Sequence, residues 1–424
     1  MPAGAACTGM DGKSGRRSAT LPMARSPMPS TAQQIRGYRG PAVLSIGFRP
    51  FFLAGALWGG LLTLAWPAVL LGRLQLPTTL SPVEWHAHEL LFGAIPAIAA
   101  GFLLTAIPYW TGRLPVTGTP LLALLLIWVA GRAGIVFSQV IGPTLAAAVD
   151  VLFLLALVMV VTREVIAGGN WRNLGVAGVL SLLLLANVGF HAQVIAGSDA
   201  SLAARGAVAA FVLLIMLFGG RLAPSFTRNW LVKRGTARLP APFDRFDMVA
   251  IAMAAIALLA WLAAPAHAAT ALLAGVAGLL QLIRLARWQG HRTLAEPLVA
   301  ILHIGYFFVP LGFLLVAVAA LRPEILPPST AMHAWTAGAI GTMTLAVMTR
   351  ASLGHTGRAL HADAVTQALY AAVIAGTVAR LILPFADGAY VPVLHTASLL
   401  WGIGFLGFAL FYGPSLTRRR RAAA

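Results

Sequence analysis

Residues 149–161 read Val149-Asp150-Val151-Leu152-Phe153-Leu154-Leu155-Ala156-Leu157-Val158-Met159-Val160-Val161. The apolar run extends to about 143–166, and a helix that crosses a bilayer needs ~20 mostly apolar residues. Asp150 sits about seven residues inside it, where an ionisable group is costly and usually functional. Outward from this stretch the pattern recurs. Cutting at Pro, Gly and charge clusters predicts twelve spans, near 50–71, 84–107, 119–138, 143–166, 173–197, 202–220, 246–264, 268–288, 296–320, 331–349, 365–384 and 392–412. The expected fold is all-α: a polytopic membrane helical bundle of about 12 transmembrane helices, with N- and C-termini cytoplasmic.

Composition agrees. Of 424 residues, 59% are hydrophobic and 10% charged, with mean hydropathy +0.84. Soluble domains carry roughly 25% charged residues, so a soluble enzyme, a disordered chain and a disulfide scaffold are excluded. The net charge of +18 does not mark a nucleic-acid partner. With the N-terminus inside, 25 of the 30 Lys and Arg residues fall on the cytoplasmic side and three, Arg73, Arg205 and Arg322, fall outside. That asymmetry orients a membrane protein. An odd number of spans would place Arg418 to Arg421 outside.

The expected organisation is a disordered cytoplasmic tail over 1–40, a twelve-helix transmembrane domain over 41–414 and a basic cytoplasmic tail over 415–424. The Ser-, Pro- and Arg-rich first segment has no apolar core of signal-peptide length. An upstream start-codon artefact is the alternative. The sequence shows no convincing internal repeat. The long loop from Arg221 to Arg245 leaves two six-helix halves open. Cys7 is the one cysteine, and no CxxCH motif occurs, so cysteine-ligated clusters and covalent heme are excluded. There is no Walker, GxGxxG or GxSxG motif.

Ten histidines in so apolar a chain call for sorting by depth. The second span opens Glu84-Trp85-His86-Ala87-His88-Glu89. His86 and Glu89 are three apart and share a helix face, while His88 points elsewhere, so the two histidines can serve different sites or sit at the interface among headgroups. Asn187 and His191 share a face of the fifth span, with His191 ~9 Å below its outer end. His333 begins the tenth span and His395 lies near the start of the twelfth. Ligands for a metal in a helical bundle must converge from different helices, and these five share the outer half. Arg132 and Asp150 lie at the same level on neighbouring antiparallel spans, as a structural ion pair or, with Arg380, as partners for heme propionates. His303, roughly two turns up from the cytoplasmic side, shares a face with Tyr306. It is either a hydrogen-bonded core residue or a ligand. His267, His291 and His361 fall in loops. His355, in a Gly-rich loop, suits an anion site or a tight turn.

Gly47-Phe48-Arg49-Pro50-Phe51-Phe52, Trp85-His86-Ala87-His88-Glu89, Gly101-Phe102-Leu103-Leu104-Thr105-Ala106 and Trp110-Thr111-Gly112-Arg113 resemble the NnrS family. So do the stretches Gly219 to Asn229, His303-Ile304-Gly305-Tyr306 and His333 to Arg358, and the resemblance covers about 41–414. It implies a bacterial inner-membrane protein containing heme and copper and associated with denitrification and nitric oxide resistance. Heme b and copper are therefore the expected cofactors. His86, His88, His191, His333, Arg132 and Arg380 are the expected cofactor residues, and His86, His88, Glu89, His191, His303 and His333 the expected metal residues. The expected partners are the lipid bilayer and nitric oxide, with no nucleic acid; an electron-donor protein or quinol stays unidentified. Whether the chain is an enzyme is left open. The alternative is a secondary transporter of copper, heme or a small metabolite, although the eleven Met residues are scattered and form no copper-permease tract.

Overall fold

The computed structural model describes residues 37–419. Cys7, Arg420, Arg421 and nearly all of the segment expected as an N-terminal tail lie outside them. Among the described residues the chain is helical, with no strand. Eleven helices are long and apolar enough to cross a membrane: α1 (Phe48–Leu70), α2 (Pro82–Thr111), α3 (Thr119–Val136), α4 (Pro143–Ala167), α5 (Trp171–Ile195), α6 (Ser201–Lys233), α7 (Arg245–Ala263), α8 (Ala268–Ala286), α9 (Pro297–Leu321), α11 (Ala364–Phe385) and α12 (Tyr390–Thr417). The remaining expected span falls in α10, residues 328–355, which is too polar on average to join them. It packs among α2, α6, α9, α11 and α12. A helix surrounded by protein needs less apolar surface than one facing lipid. α12 continues to Thr417, into the segment expected as a basic tail.

The helices assemble as three successive groups of four, and not as two halves of six. In each group the third helix packs on the fourth, and the fourth packs on the first helix of the next group: α4 on α5, α8 on α9, and α12 back on α1. The second helices, α2, α6 and α10, touch one another in the middle. Each group thus encloses a chamber between its last three helices and the first helix of the next group.

Two of the inner helices are irregular near the expected outer face. Ser81 caps α2 with a capping box. Its hydroxyl accepts from the Glu84 N–H at 3.4 Å, its own N–H donates to Glu84 Oε2 at 2.9 Å, and Pro82 opens the first turn. Immediately after His88, α2 makes a π turn over Glu89–Ala94. α10 repeats the device: His333 is followed by a π turn over Ala334–Ile340. Such turns recur at functional sites because they re-aim side chains and free backbone groups. Within the α2 turn, Gly93 O accepts from Trp128 Nε1 at 3.0 Å.

Candidate metal centre

The first chamber holds a buried polar group contributed by five helices. His88 and Glu89 come from α2, Arg132 from α3, Asp150 from α4, Asn187 and His191 from α5, and Trp58 from α1. His88 and Glu89 have no exposed surface, Asp150 is 1% exposed and His191 6%.

Three ligand atoms converge. His88 Nε2 lies 3.2 Å from His191 Nε2 and 3.2 Å from Asp150 Oδ2, and His191 Nε2 lies 3.0 Å from the same oxygen. A tetrahedral ion with ~2.0–2.1 Å bonds holds its ligands ~3.3–3.4 Å apart. The triangle is within a few tenths of an ångström of that size, so these three side chains can hold a metal ion.

The surrounding groups orient the three. His88 Nδ1 faces Glu89 Oε1 at 3.0 Å, so the ring donates there and turns a lone pair on Nε2 toward the other two atoms. Glu89 also accepts from Trp58 Nε1 at 2.7 Å and from Arg132 Nη1 at 2.6 Å. Arg132 Nη2 pairs with Asp150 Oδ1, and Asn187 Nδ2 donates to Asp150 Oδ2 at 2.9 Å. The oxygen of the Asn187 amide is buried without a partner. Phe92 and Phe190 pack on the His88 ring, both with centroids at 5.3 Å, and keep water off it.

Charge makes the arrangement more specific. Two carboxylates face one guanidinium, so the group carries one net negative charge when both imidazoles are neutral. With Nδ1–H given to Glu89, the His88 lone pair confronts the Asp150 oxygen, and His191 has one proton to offer both. One contact of the triangle is repulsive until a cation enters, either a proton on His88 or a metal ion.

Two glycines leave the room. A Cβ on Gly93 would lie 2.5 Å from Arg132 Nη1, and one on Gly131 would lie 3.2 Å from both Asp150 Oδ1 and its Cα. A side chain at Gly93 would displace the guanidinium that lies across α2, and one at Gly131 would press on Asp150 of α4.

The other expected residues go elsewhere. His86 and His333 do not join this group. They line a separate cavity of about 80 Å³ in the third chamber, together with Arg380, Trp66, Trp401 and Ser398. Trp66 stacks on His86 at 4.1 Å. His333 Nδ1 donates to the Ser329 carbonyl at 2.5 Å, which leaves its Nε2 as the free acceptor, and His86 Nδ1 is buried without a partner. His303 lies in the second chamber, where Nε2 meets the Thr227 hydroxyl at 2.7 Å and Gly290 closes over Nδ1. His395, His291 and His361 are exposed, and His267 caps α8.

Sequence reasoning recognised Asp150 as the partner of Arg132 but did not count it among the ligands. It counted Arg284 as a cytoplasmic charge. The structure buries Arg284 to 1% exposure, where it donates to Asp247 at 2.8 Å and to the Tyr306 hydroxyl at 2.7 Å. Tyr306 in turn donates to Gln281 Oε1 at 2.7 Å. Trp58, one of eleven tryptophans, carries no signal in the sequence that marks it.

Residues 42–420 match the family described as NnrS protein. No curated protein matches the chain.

Proposed function

The chain belongs to the NnrS family, and on that premise we propose that it is a metal-binding protein of the nitric oxide response in the bacterial inner membrane, with copper held by His88, Asp150 and His191. The observation that carries this reading is the triangle of ligand atoms 3.0–3.2 Å on a side, inside a group one positive charge short of neutral. Imidazole nitrogen suits copper. An ion held by three protein ligands keeps a position open for a small molecule, and nitric oxide, neutral and lipid-soluble, reaches it through the bilayer.

The chain's own residues do the rest. Glu89 fixes the His88 ring. Arg132 and Asn187 fix the Asp150 carboxylate, so the three ligands are set before the ion arrives. A pre-set, fully buried, charge-matched site favours a resident ion over transient passage, which places the reading ahead of a transporter.

Heme b has a donor pair in His86 and His333, with Arg380 as the cation for a propionate. The cavity between them, about 80 Å³, is far below the ~300 Å³ at which ligand pockets begin. The residues as placed do not take a porphyrin, and none of the chemistry proposed for the copper is routed through one. An electron donor, protein or quinol, stays unassigned.

The test is metal stoichiometry of the full chain purified in detergent. After copper loading and removal of loosely bound ion, one equivalent remains in the wild type and is lost in His88→Ala and in His191→Ala, while nitric oxide alters the copper spectrum. Retention of that equivalent by both variants would refute the assignment.

A further inference from the structure

A second cavity, about 100 Å³ and partly open on one side, lies where the three inner helices meet. α2 contributes Ile95, Ile98 and Phe102, α6 contributes Phe211, Leu214 and Phe218, and α10 contributes Ile340, Met343 and Val347. The one hydroxyl in its lining belongs to Thr344. Ile95 and Ile340 line this cavity and the His86–His333 cavity alike. Ile95 is the first residue after the π turn of α2, and Ile340 is the last residue of the π turn of α10. Both are almost fully buried, at 4% and 2% exposure.

Water needs two to four polar partners and this lining offers one hydroxyl, so it holds water weakly, whereas apolar cavities bind xenon or other small apolar molecules. The volume is too small for a lipid chain or a cofactor and ample for a diatomic molecule. We propose that the central cavity is a holding site for a small neutral gas, and that the gas passes between Ile95 and Ile340 to reach the His86–His333 cavity. This rests on the nitric oxide reading for the identity of the gas; the route ends in the third chamber and not at the copper triangle, and it does not depend on which metal is bound or whether one is.

The probe is xenon, which needs no metal. Crystals of the full chain pressurised with xenon show it between α2, α6 and α10 in the wild type. Val347→Phe, remote from the histidines, displaces it. Ile340→Ala removes half of the shared wall, and xenon then also appears beside His86 and His333. Absence of xenon from the wild-type central cavity overturns the holding site. Xenon confined to the central cavity in Ile340→Ala overturns the route. Loss of copper binding with both xenon results intact would sink the metal assignment and leave this inference standing. If Val347→Phe does not fold, Leu214→Phe fills the same cavity from α6.

Discussion

Replacing Asp150 by Asn removes one of two buried carboxylates and leaves Arg132 paired with Glu89, so the group in the first chamber goes from one net negative charge to none. Replacing Arg132 by Met takes it the other way, to two net negative charges. Without metal, Arg132→Met strands two buried carboxylates and loses about 3–5 kcal/mol of stability, whereas Asp150→Asn leaves Arg132 paired with Glu89, strands no charge and loses less. With metal they diverge. A guanidinium ~5 Å from an ion repels it by about 3 kcal/mol per ionic charge at an effective dielectric near 20, so its removal tightens copper binding on the order of 100-fold. Asp150→Asn loses both a ligand atom and its charge, and binding weakens by at least as much. The assay is thermal unfolding in detergent with and without copper. A ligand at a hundred times its Kd adds about 2.7 kcal/mol to the folded state. The copper-induced rise in melting temperature should run Arg132→Met above wild type above Asp150→Asn, with the Arg132→Met/Asp150→Asn double variant near or below wild type. If both single variants lose stability and copper raises neither them nor the wild type, the group is a structural ion-pair network and the metal reasoning is wrong.

Three further outcomes follow from the packing. Gly93→Ala forces the Arg132 guanidinium off α2 and costs about 1–3 kcal/mol, seen as a fall in melting temperature, while Gly175→Ala, with nothing within 4 Å of its Cβ, is neutral or slightly stabilising. Arg284→Met strands Asp247 in the second chamber and costs about 3–5 kcal/mol, and adding Asp247→Asn restores part of it in the same melting assay. His303→Gln and His86→Ala leave copper stoichiometry at the wild-type value, because neither side chain reaches the His88–Asp150–His191 triangle; metal analysis of the purified variants checks this.

The membrane architecture was legible because its causes are one-dimensional. Length of apolar run depends only on order along the chain, and α4 can be recognised from 143–166 alone. Even α10, too polar on average for a lipid-facing helix, was found over 331–349 because its apolar middle lies between Pro328 and Arg350; the helix runs on to His355, into the stretch expected as a Gly-rich loop. The Arg132–Asp150 pair was legible for the same reason, since a short connection between α3 and α4 makes equal depths adjacent.

Chamber membership was not legible, because it is set by rotation about each helix axis and by which helices are neighbours across the bundle. His86 and His88 stand two residues apart, close to opposite sides of a helix at 3.6 residues per turn. One side of α2 faces α4 and α5, and the other faces α10 and α12. That is why His88 meets His191 while His86 meets the cavity of His333. The charge of Arg284 illustrates the converse error. Position along the chain places it at the positive end of α8, but Asp247 on α7 and Tyr306 on α9 close around it. A buried arginine with a carboxylate beside it needs nothing more. An arginine with two carboxylates and two histidines beside it is one positive charge short, and that shortfall, visible only when five helices are brought together, is what separates the first chamber from the second.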